Sequence, residues 1–596
     1  MIRITQLKLR PDEPQKLLKR SVRKVLHLKE GEAFSFEVLR RSIDARKKPD
    51  LYVIYTVLVR FDDPETEKRV LRRGLKNAAV CEPVRYGYSW PDSPGRSSQE
   101  TDALFSGRLN PSMASPGRPL IVGTGPAGLF CGLLLARHGL RPILIERGSR
   151  VAQRRKSVGT FWENGELNPD SNVQFGEGGA GTFSDGKLNT GVRDPQGRIR
   201  FVLETFARAG AGNEILQDAK PHVGTDVLGR VVTALSDEIT ARGGEIFFET
   251  RMDRMLRDDD GVWQVFCTRR TGTKAFSGPE EHTLFSSRHL VLAIGHSARD
   301  TFRMLHDMGI VMHPKAFAAG VRIQHPQDVI DRALYGDPCR YHLPAASYKL
   351  THQLPDGRGV YSFCMCPGGY VVNASSESGM LAVNGMSNHD RASLSANSAI
   401  VVTVSPEEIR QFLSEQEMPG WAPGMHPDGC GQENSGPSGS EDALIGVEFQ
   451  RRLERAAFLA GSGAIPVQRF GDFTAHPSSC SEIRLPGYEP RIMGRWNPAS
   501  IRQIFPGSIC RGIEEGIFAW ERQIRGFSSP DAILCAAESR TSSPVRIERG
   551  EDFQAPGYPG LYPCGEGAGY AGGITSAAAD GLKAAEKILE SYERFT

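Results

Sequence analysis

The sequence lacks any apolar run of the roughly twenty residues that a membrane-spanning helix needs. The chain is 596 residues long and 39% hydrophobic, which is typical of a globular protein. Residues 1–10 alternate charged and apolar side chains and have no signal-peptide core. We therefore expect a cytoplasmic protein without a membrane partner, with enough length for about four domains.

The cysteines do not have the spacing that is typical of metal sites or of small domains stabilised by disulfide bonds. The eleven cysteines are scattered, with no CxxC pair and no Cys/His cluster of zinc spacing. This argues against a disulfide framework and predicts no metal site. The only close pair is Cys364 and Cys366. Because a CxC disulfide is strained, we predict a packing or turn role for both, with a redox-active disulfide as the alternative.

Strong net charge is also missing, since the formal charge of +3 is too small to indicate a nucleic-acid partner for the whole chain. Residues 1–84 are nevertheless basic, and their β-α-β-α pattern predicts a small α+β domain, possibly ferredoxin-like. A solvated face explains the basic residues better than an RNA or acidic partner, because no aromatic residues interleave with them. They are Lys16, Lys19, Arg20, Arg23, Lys24, Arg40, Arg41, Arg46, Lys47 and Lys48.

The most informative stretch is residues 119–146. An apolar run ends in a glycine turn, a helix-compatible run follows, and a second apolar run ends in Glu146. This order predicts a dinucleotide-binding fingerprint rather than a glycine-rich turn of an ordinary α/β domain. Gly123 would permit the tight turn, Gly125 would admit a pyrophosphate, and Gly128 would let the helix pack closely. Glu146 would accept hydrogen bonds from an adenosine ribose.

Three later segments also contain glycines in positions that suggest contact with a ligand. The glycine density of residues 172–187 excludes a stable helix or strand and predicts a backbone pressed against a flat ligand. Residues 290–296 predict a buried strand ending in glycine. Residues 561–576 predict a strand followed by glycine, an acid, more glycine and a helix. Because parallel strands end at one edge of a sheet, these segments should meet there around one ligand.

The pattern also divides the chain into domains. Residues 85–118 have the Ser, Pro and Gly composition of a linker. We predict a Rossmann-like α/β nucleotide-binding domain in two parts, residues 119–310 and 531–596. Between them, β-rich residues 311–530 would form an inserted substrate or cap domain, in which Gly/Pro/Ser-rich residues 415–442 would be a mobile excursion.

Three glycine-ended strands with acids at Glu146 and Glu566 resemble an FAD-binding fold of the glutathione-reductase type. Most of residues 119–596 is also similar to the bacterial uncharacterised FAD-dependent dehydrogenases, of the NAD(FAD)-utilizing dehydrogenase type. The runs that carry this likeness are residues 171–188, 361–377, 537–550 and 562–585. The resemblance implies non-covalent FAD and no defined substrate. Glu566 departs from the wider class, in which many members have Asp, but both residues accept hydrogen bonds.

These patterns nominate site residues. Lys187, His296, Arg322, His325 and Arg540 are candidate proton donors or anion clamps near the flavin, although each alone is more often a structural polar residue. With Cys364 and Cys366 they make up the weak catalytic candidates. The residues predicted to hold FAD are Gly123, Gly125, Pro126, Ala127, Gly128, Glu146, Arg147, Arg154, Gln174, Gly178, Gly179, Gly295, Gly565, Glu566, Gly572, Gly573 and Ile574.

Together these features predict an FAD-dependent oxidoreductase, a dehydrogenase that moves a hydride to or from an unknown small organic substrate. No second GxGxxG follows a strand, so NAD(P)H would bind only transiently over the flavin. Two alternatives stay open. The basic N-terminal region suggests a flavin-dependent RNA-modifying enzyme, and a flavin-binding sensor or scaffold would show no turnover.

Overall fold

The structure is a computed structural model that describes residues 1–84, 86–88, 117–270, 280–336, 341–414, 441–475, 484 and 487–593. The predicted linker at residues 85–118 and the predicted excursion at 415–442 lie almost entirely outside the described residues. Within the described residues, no helix combines the length and the apolar character needed to cross a membrane.

The N-terminal domain is an antiparallel sheet with two helices. Its elements are β1 (Ile2–Leu9), α1 (Leu18–Val25), β2 (Phe34–Asp44), β3 (Tyr52–Phe61), α2 (Pro64–Arg72) and β4 (Ala78–Val80). The sheet order β2-β3-β1-β4, with connectivity β-α-β-β-α-β, is that of a ferredoxin-like unit. Its edge strand β2 reaches the next domain, where Arg41 forms an ion pair with Asp218. One of the predicted basic residues therefore stabilises a domain contact.

The second domain is built on a parallel sheet. Its first part contains β5 (Leu120–Val122), α3 (Pro126–Arg137), β6 (Ile143–Ile145), α4 (Val151–Asn164), α5 (Arg198–Phe206), α6 (Thr225–Ala241), β7 (Glu245–Phe247), β8 (Thr250–Arg257), β9 (Trp263–Arg270), β10 (Glu280–Ser287), β11 (Leu290–Leu292) and α7 (Arg299–Asp307). Its second part contains β24 (Leu561–Pro563) and α13 (Ile574–Glu593). The parallel order is β24-β11-β5-β6-β7, and β8, β9 and β10 form a separate antiparallel sheet.

Helix α3 lies at the centre of this domain, since it packs on α13 and α6. Ten of its twelve residues are buried, which explains why its sequence is apolar on every side. Gly132 brings its backbone close to the sheet, because a Cβ there would stand 3.1 Å from the Leu144 side chain. The glycine turn that precedes α3 is thus fixed against the sheet edge.

The inserted domain contains β12 (Met312–Pro314), β13 (Phe317–Pro326), α8 (Gln327–Tyr335), β14 (Thr351–Gln353), β15 (Gly359–Cys366), β16 (Gly369–Asn373), β17 (Val383–Ser387), β18 (Ser395–Val404), α9 (Pro406–Ser414), α10 (Ile445–Ala460), β19 (Ile465–Arg469), α11 (Phe470–Ala475), β20 (Ile492–Met493), β21 (Trp496–Pro498), α12 (Gly507–Trp520), β22 (Ile533–Glu538) and β23 (Val545–Ile547). Its main sheet has the order β14-β15-β18-β13-β22-β19-β21, and β16, β17 and β20 form a small second sheet.

The end of this domain lies later than the predicted residue 530. Strand β22 (Ile533–Glu538) pairs with β13 on one side and β19 on the other, so it belongs inside the seven-stranded sheet. All six of its residues are buried, as expected for a central strand. The chain then passes through β23, which pairs with β12, before it returns to the parallel sheet.

Candidate functional site

Four neighbouring parallel strands end at the same edge of the sheet, in the order β24, β11, β5 and β6. The residues that follow them include Glu566, Gly295, Gly123 and Glu146. Since adjacent strands lie about 4.8 Å apart, this edge forms a wall roughly 14 Å long. A wall of strand ends at a parallel sheet is the place where nucleotides bind in open α/β folds.

A cavity of about 510 Å³ runs along this wall and reaches the inserted domain at Tyr348 and Cys364. All but three of the residues predicted to contact FAD line it. They are Gly123, Gly125, Pro126, Ala127, Glu146, Arg147, Gln174, Gly179, Gly295, Gly565, Glu566, Gly572, Gly573 and Ile574. The sequence therefore located one connected space, while the role of each residue toward FAD stays a prediction.

The first glycine turn explains how the backbone comes close to a ligand. Gly123 has a φ of +102°, and a Cβ there would stand 2.4 Å from the carbonyl oxygen of Ala293. A Cβ on Gly125 would meet only the Cα of Gly179, at 3.9 Å. The slot between Gly125 and Gly179 therefore contains no side chains, and it opens on the N-terminus of α3. Free N–H groups at a helix N-terminus favour phosphate, so the site fits a pyrophosphate.

Glu146 anchors both glycine loops. One carboxylate oxygen accepts hydrogen bonds of 2.9 Å from the N–H and from the hydroxyl of Thr124. The other accepts bonds from the N–H groups of Gly148, at 3.0 Å, and Gly176, at 2.9 Å. A carboxylate offers about four acceptor positions, so a ribose hydroxyl would have to share one with the Thr124 hydroxyl. The contact between Glu146 and a ribose stays a prediction, and it requires this shared position.

Arg154 does not line the cavity, which corrects its predicted contact with FAD. Its guanidinium is fully buried and donates five hydrogen bonds to backbone carbonyl groups of the glycine-rich loop. The acceptors are Asn172 at 2.8 Å, Val173 at 3.0 Å, Gly176 at 3.2 Å, Glu177 at 2.7 Å and Gly179 at 2.9 Å. Arg154 therefore holds the loop that faces the ligand and acts on the cavity only through it.

Two glycines also differ from the prediction. The sequence predicts for Gly128 both close packing of the helix and a contact with FAD. A Cβ there would stand 1.9 Å from the carbonyl oxygen of Gly123, which fits the packing role. Gly178 lies behind the loop, where a Cβ would meet the Thr182 hydroxyl at 2.2 Å and Val232 at 2.9 Å. Neither lines the cavity, so Gly178 and Gly128 shape the turns instead of touching the ligand.

The other half of the wall ends in Glu566 and the start of α13. The Glu566 carboxylate makes no hydrogen bond with the part of the chain that the structure describes. Burial raises its pKa to about 7, and the ammonium of Lys315 opposes this only in part. An acceptor of this kind fits the hydroxyl groups of a ribityl chain. Gly572 and Gly573 are next to it, and a Cβ on either would meet no atom within 4 Å.

His296 and Arg540 line the cavity beside Gly295. Burial, with the positive charges of Arg540 and Arg299, lowers the pKa of His296 to about 4. The imidazole is therefore neutral at physiological pH, and its Nδ1 lies 2.8 Å from the Ser297 hydroxyl. A neutral imidazole at a ligand cavity can accept a proton but has none to give as a cation.

Three catalytic candidates do not line the cavity, which corrects their assignment. Arg322 is fully buried and pairs with Glu538 at 2.8 Å, so it supports a cavity residue from behind. His325 is a core residue whose Nε2 lies 2.8 Å from the carbonyl oxygen of Phe527. Cys366 is fully buried, with its Sγ 3.2 Å from the Cys364 carbonyl oxygen.

Cys364 differs from Cys366 because it lines the cavity. It lies at a register shift between β15 and β18 and has a φ of +44°, which is unusual for a residue with a side chain. A hydrogen bond from Cys366, followed by the charges of Lys187 and Arg322, lowers the pKa of the Cys364 thiol. The predicted turn role fits this bulge, but the thiol also faces the ligand space.

Lys187, a candidate from the sequence, lines the cavity together with polar residues that the prediction missed, at the end nearest the inserted domain. Asp185 is fully buried and forms ion pairs with Lys187 at 2.9 Å and with Arg391 at 3.0 Å. It also accepts a hydrogen bond from Ser387. Lys220 lines the same end of the cavity. The order Asp185-Gly186-Lys187 at the end of the glycine-rich run was a usable signal, whereas Arg391 and Lys220 had none.

Three protein families match segments of this chain. A model described as an FAD binding domain matches residues 118–278, which contain the glycine turn and Glu146. A model described as the FAD-dependent protein, C-terminal domain-like, matches residues 316–422 and 430–541, and a domain of unknown function matches residues 1–60. The second match ends just after β22, as the sheet does.

An uncharacterised protein of Clostridium beijerinckii is 39% identical over 596 residues, covering 99% of each chain. Among solved structures, a flavoprotein/dehydrogenase from Cytophaga hutchinsonii is 12% identical with a TM-score of 0.25, covering 49% of this chain and 57% of that chain. The OxyS anhydrotetracycline hydroxylase from Streptomyces rimosus is 16% identical with a TM-score of 0.23, covering 50% and 48%. The chain thus spans about half the length of these solved proteins, and likenesses this weak carry no argument about it.

The FAD binding domain confirms the predicted cofactor, since its match spans the turn, the loop and the acid that build the wall. FAD supplies redox chemistry and the protein supplies its placement, which makes this mixed α/β chain an FAD-dependent oxidoreductase. With 39% identity along its whole length, the chain belongs to the family of the Clostridium beijerinckii protein.

Proposed function

We propose that this chain is a dehydrogenase that uses non-covalently held FAD, in a fold of the glutathione-reductase type, to move a hydride to or from a small organic substrate. The observation that carries the proposal is the single cavity that joins the glycine wall to polar residues of the inserted domain. FAD exchanges two electrons as a hydride, so a substrate must lie against its ring. The inserted domain supplies the space for such a molecule.

In this proposal the wall divides between the two halves of FAD. Gly125, Gly179 and Glu146 hold the adenosine and pyrophosphate half, beside Arg147, which stacks on Phe175 at 4.4 Å from its ring centre. Gly565, Glu566 and Gly573 hold the ribityl and ring half. The support is that both sets line one cavity and lie at opposite ends of the wall.

The residues near the substrate would serve proton transfer and electron supply. His296 is neutral, and because its pKa is lowered to about 4 it would accept a hydrogen bond from an alcohol or amine and pass its proton on without keeping it. NAD(P)H remains a proposed transient partner, since the glycine turn that lies directly between β5 and α3 is assigned to FAD.

Gly125→Val tests the binding half of the proposal, because a branched side chain would fill the slot toward Gly179. We expect the purified variant to fold and to be colourless. Gly87→Val is the matched control, since a Cβ at Gly87 meets nothing within 4 Å and the residue does not line the cavity. A Gly125→Val protein that keeps a full complement of FAD would overturn the assignment.

Turnover tests the catalytic half. The bound flavin is reduced anaerobically and then mixed with fractionated metabolites, and its reoxidation is followed by absorbance. We expect a small organic fraction to reoxidise it, and the reverse reaction to reduce the oxidised protein. A flavin that no metabolite fraction and no nicotinamide reduces or reoxidises would favour the sensor or scaffold alternative.

A further inference from the structure

The end of the cavity that faces the inserted domain contains more cations than anions. We define the cap-side cluster as Asp185, Lys187, Lys220 and Arg391, all of which line the cavity. Asp185 is its only acid, and two of the cations share that carboxylate at 2.9 and 3.0 Å. The cluster therefore carries an excess of positive charge inside a partly enclosed space.

Lys220 is the member without an acidic partner. Its Nζ lies 3.3 Å from the Ser347 hydroxyl, and no carboxylate among the described residues is within ion-pair distance. The Lys220 side chain is exposed to solvent on one side, and its partial burial, followed by the neighbouring charges of Lys187 and Arg391, lowers its pKa. The repulsion among these three cations would be relieved by an anion in the cavity.

Arg391 is held rigidly over the same space. Its backbone has a φ of +53°, and its carbonyl oxygen packs so closely that a Cβ on Gly368 would stand 1.7 Å away. One arm of its guanidinium bonds to Asp185, while its buried Nε has no hydrogen-bond partner in the described part of the chain. The paired arm fixes the position of the guanidinium, which lines the cavity and keeps its positive charge there.

We propose that the cap-side cluster binds a carboxylate group of the substrate, so that the enzyme acts on a small organic acid. Asp185 supplies one negative charge against three positive ones, so the charges of Arg391 and Lys220 remain in excess once Lys187 is paired, and together they match the two oxygens of one carboxylate. Lys187 and Asp185 neutralise each other beside them and fix the position of Arg391. This inference rests on the proposed function, because it places the substrate against FAD in the same cavity.

Cys364, Gly295 and His296 line the same cavity as the cap-side cluster. The carboxylate would be held at the Lys220 side, and the part of the acid to be oxidised or reduced would extend toward Gly295 and His296. The cluster thus positions the substrate and takes no part in the redox step. Its residues are positioning residues, and their loss should change substrate affinity more than the rate at saturation.

The experiment uses the FAD-loaded full-length protein and follows the flavin absorption spectrum during titration with acetate, benzoate and succinate. Inorganic phosphate and sulfate are titrated in parallel at the same ionic strength. We expect at least one carboxylate to perturb the spectrum with saturation and to bind at least tenfold more weakly to Lys220→Gln. Lys220→Arg should restore most of the affinity, because it returns the charge.

Lys156→Gln is the matched control, since Lys156 is exposed on α4 and does not line the cavity. It should bind the carboxylates as the unmodified protein does, and all variants should keep the same FAD content. Three results with a protein that stays yellow would overturn the carboxylate site. Lys220→Gln could bind the carboxylates as tightly as the unmodified protein, no carboxylate could show saturable binding, or phosphate or sulfate could bind more tightly than every carboxylate. A protein that takes up no FAD would instead overturn the proposed function itself.

Discussion

The Glu454 carboxylate receives two hydrogen bonds from the Arg540 guanidinium, of 2.8 and 2.7 Å. Arg299 donates two more from the other side, of 3.0 and 2.7 Å, and Glu454 is fully buried between the two arginines. Arg540 also donates to Ser297 and Ser376. One carboxylate of helix α10 thus fixes a cationic wall of the FAD cavity and joins the inserted domain to α7.

Glu454→Gln should destabilise the protein strongly. Removing the negative charge leaves two buried guanidinium groups without the carboxylate that they share, and among the described residues only Arg299 keeps another acid, Glu377 at 3.4 Å. Breaking a buried ion pair in this way costs about 3–5 kcal/mol. The free energy of unfolding is measured by denaturant titration. Glu448→Gln on the same helix is the control, because Glu448 is 34% exposed and its loss should change stability by less than about 0.5 kcal/mol. Equal stability of the two variants would contradict the role of Glu454.

Arg154→Met should lose both stability and cofactor. Methionine fills much of the volume but donates no hydrogen bonds, so five carbonyl groups of the glycine-rich loop lose their donor. We expect a loss of at least about 3 kcal/mol in the free energy of unfolding and a protein purified with little FAD. The readouts are denaturant titration and the ratio of flavin to protein absorbance.

Arg155→Met supplies the control for that experiment. Arg155 is the next residue of α4 and is exposed. Among the described residues it bonds only to the Thr225 and Asp226 carbonyl oxygens, at 3.0 and 3.2 Å. The Arg155→Met variant should keep its FAD and lose less than about 1 kcal/mol in the free energy of unfolding. If Arg154→Met retained a full complement of FAD with normal affinity, the loop would not depend on this guanidinium.

The nucleotide-binding half of the chain could be predicted from local sequence because its signals are local. Gly123, Gly125 and Gly128 are all required by a single turn and by the start of the helix that follows it, and Glu146 follows the next strand. Long amphipathic elements are equally accessible, since the apolar spacing of residues 226–242 predicts a helix and the structure has one at Thr225–Ala241. In such cases the spacing of residues determines both the element and the face that it buries.

The remainder depends on contacts between residues far apart in sequence. Arg154 was assigned to FAD because it is cationic and follows the fingerprint, whereas its true acceptors are carbonyl groups that no sequence pattern reveals. His325 was a candidate until the fold placed it against Phe527. Asp185 and Arg391 meet across 206 residues, so their pairing could not be predicted without the inserted domain in place.

Iodoacetamide should modify Cys364 well before Cys366. Cys364 lines the cavity, and a hydrogen bond from Cys366, followed by the charges of Lys187 and Arg322, lowers the pKa of its thiol, which favours the reactive thiolate. Its labelling rate, followed by peptide mass spectrometry, should therefore fall less between pH 8 and pH 6 than the rate of free N-acetylcysteine, whose pKa is unshifted.

The same pair tests the redox alternative. Cys366→Ala should leave flavin reduction and any turnover unchanged, because we expect Cys366 to pack in the sheet. A redox-active pair would instead lose activity in both Cys364→Ala and Cys366→Ala. Preferential labelling of Cys366, or a rate at Cys364 that falls tenfold per pH unit as for an ordinary thiol, would contradict the thiolate at Cys364.

Glu566 should make the stability of the FAD-free protein depend on pH. Burial raises its pKa from 4.5 to about 7 in the folded chain, so the folded state holds the proton more tightly than the unfolded state. The stabilisation of the protonated form is fully present below pH 4.5 and is lost as the pH rises through 7, by roughly 3 kcal/mol at most. Glu566→Gln cannot ionise and should lack this loss.

The measurement is therefore the difference in unfolding free energy between the FAD-free protein and FAD-free Glu566→Gln, taken at pH 5 and at pH 8. The variant should gain relative stability as the pH rises, while titration of every other carboxylate cancels in the difference. A flat difference would mean that the Glu566 carboxylate is already hydrogen-bonded or hydrated in the folded chain. In that case it would have no unmet acceptor to offer a ribityl hydroxyl, and the assignment of this end of the wall to the flavin half would lose its support.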